Sequence, residues 1–157
     1  MSSIHQWLQP DCVHPRLGSS VARAVIHELT GLLLKAYPQI DPNQLVESFQ
    51  HREKIKSTAV LEGVAFPQAE SDQIEHPILA LACSEDGVSF ESLDGLDTHL
   101  FIAIVTPKGE SQRTLQILAR LTRLFQSQTK LTQHLLEASD ADRLFDMFTH
   151  AEQDLGI

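Results

Sequence analysis

A layered α/β domain is the fold this sequence predicts, and three observations carry it. Two short, almost wholly apolar runs, Ile78 to Cys83 and Leu100 to Val105, have the length of buried strands, and the second is closed by Thr106-Pro107-Lys108-Gly109. Segments with helical apolar spacing precede and follow them. The 42% hydrophobic content suffices for one packed core in a chain of 157 residues. Because helices and strands interleave, covering both faces of a central sheet is the natural way to bury them.

Taken in order, Ser19 and Ser20 supply N-cap residues to a first amphipathic helix carrying Val21, Ala24, Val25, Leu29, Leu32, Leu33 and Ala36. Asp41-Pro42 then places a capping carboxylate before a proline at the first helical position. Leu45, Val46 and Phe49 continue the period to an end near Lys54. Between the two strong strands, Gly87 and Gly95 bracket a weaker one around Val88 to Phe90. From Gln112 to Phe125, the spacing of Leu115, Leu118, Ala119, Leu121, Thr122 and Phe125 predicts a helix. A short helix follows over Leu131 to Leu136, and Asp140 caps a last one bearing Leu144, Phe145 and Phe148. No repeat, low-complexity segment or long linker interrupts the chain, so residues 1–157 are expected to form one domain, with 1–15 as an N-terminal segment. Whether that segment, with Trp7 and Cys12, docks on the domain or elsewhere stays open at this level.

Charge narrows the partners. With 21 acidic against 12 basic residues the formal net charge is −9, which repels nucleic acid and anionic lipid. A protein partner is expected instead. No apolar run reaches the length of a membrane span, and MSSIHQWLQPDCVHPRL lacks the pattern of a secretory signal, so the expectation is a cytoplasmic protein without membrane insertion. Cys12 and Cys83 stand alone and are read as reduced packing residues. No Cys/His ligand spacing, phosphate loop or nucleophile elbow is present, so neither a metal nor a cofactor is implied.

The run from His51 to Gln68, HREKIKSTAVLEGVAFPQ, carries the most information. It resembles the active-site signature of enzyme IIA domains of the fructose/mannitol and nitrogen-regulatory type, in the bacterial phosphotransferase system. There an Arg-Glu pair, a Ser-Thr-Gly turn and further glycines lead to Ala-x-Pro-His, whose histidine is phosphorylated. Here the matching residues are Arg52-Glu53, Ser57-Thr58, Gly63, Ala65 and Pro67, and Gln68 stands where the histidine is expected. The stretch FESLDGLDTHLFIAIVTPKGESQRTLQILARLTRLF is similar to the family's strand, proline turn and helix, with Thr114 where a second histidine opens the helix. The resemblance covers roughly residues 15–150, and it implies a mixed sheet with helices on both faces.

Residue chemistry then limits what the resemblance can transfer. The amide nitrogen of Gln68 has its lone pair delocalised into the carbonyl, so Gln68 can donate and accept hydrogen bonds but cannot act as nucleophile or base. Arg52, Ser57 and Thr58 are the candidates for binding a phosphate or other anion, Arg52 through its two-pronged guanidinium. An arginine at a helix end beside Glu53 commonly has a purely structural place, favourable to the helix dipole. The loop Ala59-Val60-Leu61-Glu62 is bulky and acidic where the family is glycine-rich, which opposes close backbone approach to an anion. Thr114 could bond to Gln68 or serve its own helix.

Three functions follow. The first is a degenerate enzyme IIA-like regulator, not phosphorylatable at the usual site, that binds proteins as a mimic of the unphosphorylated state. Its partners would be a phosphocarrier protein, a transporter or a sensor kinase, with homodimer formation left open. The second is a working phosphocarrier that uses another histidine, such as His51, His76 or His99. The third is a small-anion binding module around Arg52, Ser57 and Thr58.

Overall fold

The structure is a computed structural model, and it describes residues 3–59, 62–92 and 94–156. The two apolar runs form its centre. They are β4 (Ile78–Val88) and β5 (Thr98–Pro107), paired antiparallel with Ile78 opposite Val105, Ala80 opposite Ala103 and Cys83 opposite Leu100. Residues 78–84 and 100–107 are buried throughout, as strands covered on both faces require. Each buried Leu, Ile or Phe side chain contributes roughly 1.5–3 kcal/mol of transfer free energy.

The remaining strands flank this pair. β1 (Leu8–His14) lies parallel to β4 at one edge. At the other edge β2 (Val64–Ala65) and β3 (Gln68–Ser71) both run parallel to β5, one after the other, giving a mixed sheet in the order β1-β4-β5-β2 with β3 also on β5. Helices α1 (Ala22–Ala36) and α2 (Pro42–Ile55) pack on each other, α1 against β1 and β4 and α2 against β3. Helices α3 (Ser111–Ser127), α4 (Leu131–Leu136) and α5 (Ala141–Asp154) cover the other side, through contacts of α3 and α4 with β5 and of α5 with β1.

Several local expectations change. Helix α1 starts after Val21 with no side-chain cap; the Gly18 and Ser19 amides instead donate to the Glu28 carboxylate at 3.0 and 2.6 Å. Asp41 caps α2 as expected, accepting from the Asn43 and Gln44 amides. The weaker strand around Val88 to Phe90 is not separate. Val88 ends β4 opposite Thr98, after a register shift that follows Cys83, and Ser89 makes only an isolated bridge to Val21. Gly87 sits in that irregular stretch at φ 85°, where a Cβ would lie 2.8 Å from the His99 ring.

The N-terminal segment docks on the domain. The His5 amide and ring both reach Glu152 of α5, at 2.9 and 2.6 Å, and the Trp7 ring lies 5.6 Å under the Arg113 guanidinium of α3. Arg120 of α3 completes the cluster, donating to the Glu152 carboxylate at 2.5 Å and to the Gly156 carbonyl at 2.5 Å. Arg120 and Glu152 are both buried, an ion pair inside the packing of α3 and α5. Cys12 and Cys83 are buried free thiols, and burial pushes their pKa values up to about 11 and about 12.

Candidate functional site

The site is built where α2, β3 and the first turn of α3 meet. On α2, Ser48, His51, Arg52 and Ile55 fall on one face through the helical period and line a cleft of about 340 Å³. Gln68 enters from the start of β3, and Thr114 and Leu115 from α3. The resemblance-derived trio Arg52, Gln68 and Thr114 thus does come together.

Position 68 is fixed by backbone. The Gly63 carbonyl accepts from the His99 and Leu100 amides at 2.9 and 3.0 Å, and the Pro67 carbonyl accepts from Ile104 at 2.8 Å. Between them the Phe66 amide turns away to the Thr58 carbonyl, at 3.0 Å, while the Phe66 ring is buried against Phe125. Gly63 adopts φ 70°, the left-handed region that favours glycine. Gln68 therefore leaves the chain opposite Ile104 with a set direction, and its Nε2 donates to the Phe66 carbonyl at 3.0 Å.

Other candidates are placed differently. Thr114 does not bond to Gln68; its hydroxyl pairs with that of Thr106 on β5, at 2.8 Å. Arg52 donates from Nη1 to the Lys56 carbonyl at 2.6 Å, closing the last turn of its own helix while lining the cleft. Ser57 and Thr58 are turned away from it. Ser57 Oγ donates to the Phe90 carbonyl at 2.5 Å and accepts from the Ala59 amide at 3.1 Å. Thr58 is buried, and both its amide and its hydroxyl donate to the Glu53 carboxylate. Burial raises the Glu53 pKa; the Thr58 hydrogen bonds and Arg52 offset this in part, and the Glu91 carboxylate adds to it. Of the proposed anion contacts, only Arg52 faces the cleft. Val60 and Leu61 of the bulky loop lie outside the described residues, and Glu62 is exposed.

Sequence reasoning missed the apolar rim. Ile55 is 71% and Leu115 60% exposed, one on each helix bordering the cleft. The helical spacing counts Leu115 towards the apolar stripe of its helix, but the buried face is Ile117, Arg120, Leu121, Leu124 and Phe125. The signal was there: Leu115 lies two positions from Ile117, on a different side of a helix from it. Of the histidines, His51 lines this cleft and is exposed. His76 bonds to the Pro77 carbonyl and His99 to the Ser84 carbonyl, both away from it. Among the described residues no group of three His, Cys, Asp or Glu side chains could hold a metal ion, and no helix is long and apolar enough to cross a membrane.

Comparison with known proteins gives this geometry a setting. Residues 6–151 match the family model described as phosphoenolpyruvate-dependent sugar phosphotransferase system, EIIA 2. A fructose-specific EIIABC component of Bacillus subtilis is 34% identical over 129 residues, covering 82% of this chain but only 20% of that longer protein. The crystal structure of nitrogen regulatory protein IIA-Ntr from Neisseria meningitidis superposes with a TM-score of 0.82 at 22% identity, over 92% of this chain and 97% of that one. The mannitol enzyme IIA of Escherichia coli, in its complex with phosphorylated enzyme IIB, gives 0.74 at 18% identity, over 91% and 99%.

Proposed function

Since this chain belongs to the phosphotransferase system EIIA 2 family, we propose that it is a regulatory enzyme IIA-like protein that takes no phosphate at position 68 and works by binding proteins. The observation that carries this reading is Gln68, aimed into the cleft beside Arg52 and bonded to the Phe66 carbonyl. Its amide has no nucleophilic lone pair. The site then stays permanently in the unphosphorylated state, and the protein signals by abundance and competition.

Two features support binding over transfer. The Arg52 guanidinium is already committed in part to the Lys56 carbonyl, and the Ser57 and Thr58 hydroxyls are committed elsewhere. The exposed Ile55 and Leu115 offer apolar area to a partner surface. The mannitol enzyme IIA of Escherichia coli occurs in a complex with a phosphorylated IIB protein. For this chain the proposed partners are a phosphocarrier protein, a transporter or a sensor kinase in the cytoplasm, met by residues 1–157 acting as one domain.

One observation favours a second reading. His51 is exposed in the same cleft, beside Arg52, and its ring makes no hydrogen bond among the described residues. A phosphoryl group could pass from the donor's phosphohistidine to a ring nitrogen of His51, breaking one P–N bond and forming another. Both readings meet in one experiment. The chain, Gln68→His and His51→Ala are incubated with the general phosphotransferase components and phosphoenolpyruvate, and intact mass is recorded. Phosphate on Gln68→His alone supports the fixed-state regulator. Phosphate on the unaltered chain that disappears in His51→Ala refutes it in favour of His51. No phosphate on any of the three means that the carrier no longer docks at this cleft.

A further inference from the structure

We propose that a second cavity, between α1, α2 and residues 89–91, binds a free α-amino acid with an apolar side chain. Its carboxylate would lie beside Arg23 at the start of α1, and its ammonium against Glu91 and Glu53. At about 390 Å³ the cavity is larger than the cleft at Gln68 and falls within the range of small-ligand sites. It is separate from that cleft, because α2 presents Gln50, Glu53 and Lys54 here and its Ser48, His51, Arg52 and Ile55 there.

The charges in this cavity are complementary to a zwitterion: the side chains of Arg23, Lys54 and Glu91 are exposed to it, while the Glu53 carboxylate also accepts from the Thr58 amide and hydroxyl. Arg23, Lys54, Glu53 and Glu91 all line it, and none of the four forms an ion pair among the described residues. Arg23, Lys54 and Glu91 make no hydrogen bond there either. Helix α1 opens at this wall without a side-chain cap, which adds a positive field beside Arg23 for a carboxylate. Glu53 and Glu91 both line the cavity, and the negative charge of Glu91 acts on Glu53. Burial raises the Glu53 pKa against the Thr58 hydrogen bonds and Arg52, Glu91 adds to it, and an ammonium group beside both carboxylates would offset their mutual repulsion.

Glu91 is held in place at a cost. It is the one described non-glycine residue with positive φ, at 53°, a conformation a non-glycine residue keeps only where its surroundings impose it. That backbone puts its carboxylate on the cavity wall. Between the charged walls, the buried Ile26 and Phe90 side chains give an apolar floor, which selects an aliphatic side chain over a polar one.

The test uses the full chain and calorimetric titration with leucine, valine and methionine. N-acetyl-leucine, which lacks the ammonium, and leucinamide, which lacks the carboxylate, are titrated in parallel. Saturable binding of at least one free amino acid is expected, weakened about tenfold or more in each blocked form, since each loses a charge-assisted contact. Arg23→Ala and Glu91→Gly should each weaken binding by a similar factor. Glycine accepts the φ of position 91, so Glu91→Gly removes the carboxylate without straining the turn, and an unchanged melting temperature of the free variant confirms its fold. The proposal is overturned if none of the three amino acids binds up to about 10 mM, ten times a millimolar Kd. Equal binding of the blocked forms, or binding unaffected by both substitutions, overturns it as well. None of these outcomes depends on whether position 68 or His51 accepts phosphate.

Discussion

Removing the Glu152 carboxylate should destabilise this protein more than any surface change, and the reason lies in what it leaves behind. Glu152 is fully buried and accepts from the His5 amide at 2.9 Å, the His5 ring at 2.6 Å and the Arg120 guanidinium at 2.5 Å. In Glu152→Ala the Arg120 guanidinium stays buried with only the carbonyls of residue 152 and Gly156 as partners. Breaking a buried ion pair from one side typically costs about 3–5 kcal/mol. For a domain of this size each kcal/mol is worth about 2–4 °C, so the melting temperature should fall by roughly 6–20 °C. Replacing both partners, as Arg120→Met with Glu152→Leu, removes the uncompensated charge and should recover most of the loss. Urea denaturation of the three proteins measures this directly. If the double variant is as unstable as Glu152→Ala, packing and not the stranded charge is what matters, and the reasoning fails. pH supplies a second check. Burial opposes the Glu152 carboxylate, but the His5 bonds and Arg120 outweigh it and hold its pKa below the ordinary range. Its contribution is therefore present above the unfolded-state value near 4.5 and is lost as pH falls through the lower folded value.

Glu53 should act in the opposite sense. Its pKa is raised in the fold, mainly by burial, so ionising it at higher pH works against folding, and Glu53→Gln should flatten that part of the stability–pH profile in denaturation experiments. Asp41→Ala removes the acceptor for the Asn43 and Gln44 amides and should cost about 1 kcal/mol in urea unfolding, with little change in the denaturant slope. Gly63→Ala meets no atom within 4 Å, so its cost is the φ of 70° alone, about 1–2 kcal/mol by the same assay. A much larger loss there would mean that the loop ahead of β2 needs more from Gly63 than its backbone freedom.

Burial on both faces is what made the centre of the sheet legible. Strands β4 and β5 read as unbroken apolar runs because each side chain meets a helix or its neighbours. Strands β1 and β3 carry no such pattern, and β2, though buried, is only Val64-Ala65, too short to read as a strand. In β1, Gln9, Pro10 and Asp11 are exposed at the sheet edge, and β3 is Gln-Ala-Glu-Ser with only Ala69 buried. Their pairing is set by backbone hydrogen bonds to β4 and β5, which side-chain periodicity does not report. The same division holds in the candidate site. Arg52, Gln68 and Thr114 lie where a helix, a strand start and a helix start converge, and all three line one cleft. Ser57 and Thr58 lie in a loop with no period to give their direction, and one faces Phe90 while the other faces Glu53. The Arg120–Glu152 pair was not foreseeable by spacing, since its members are 32 residues apart on different helices.

The stepwise pairing of β2 and β3 along β5 has a consequence for how such a site can change over time. Gly63, Phe66 and Pro67 secure the chain ahead of position 68 and the pairing of Gln68–Ser71 with β5 secures it from there on, so the point from which side chain 68 leaves is set by main-chain groups. Aim and chemistry are inherited separately at this position. A substitution at position 68 can therefore change the chemistry offered to the cleft without refolding its surroundings.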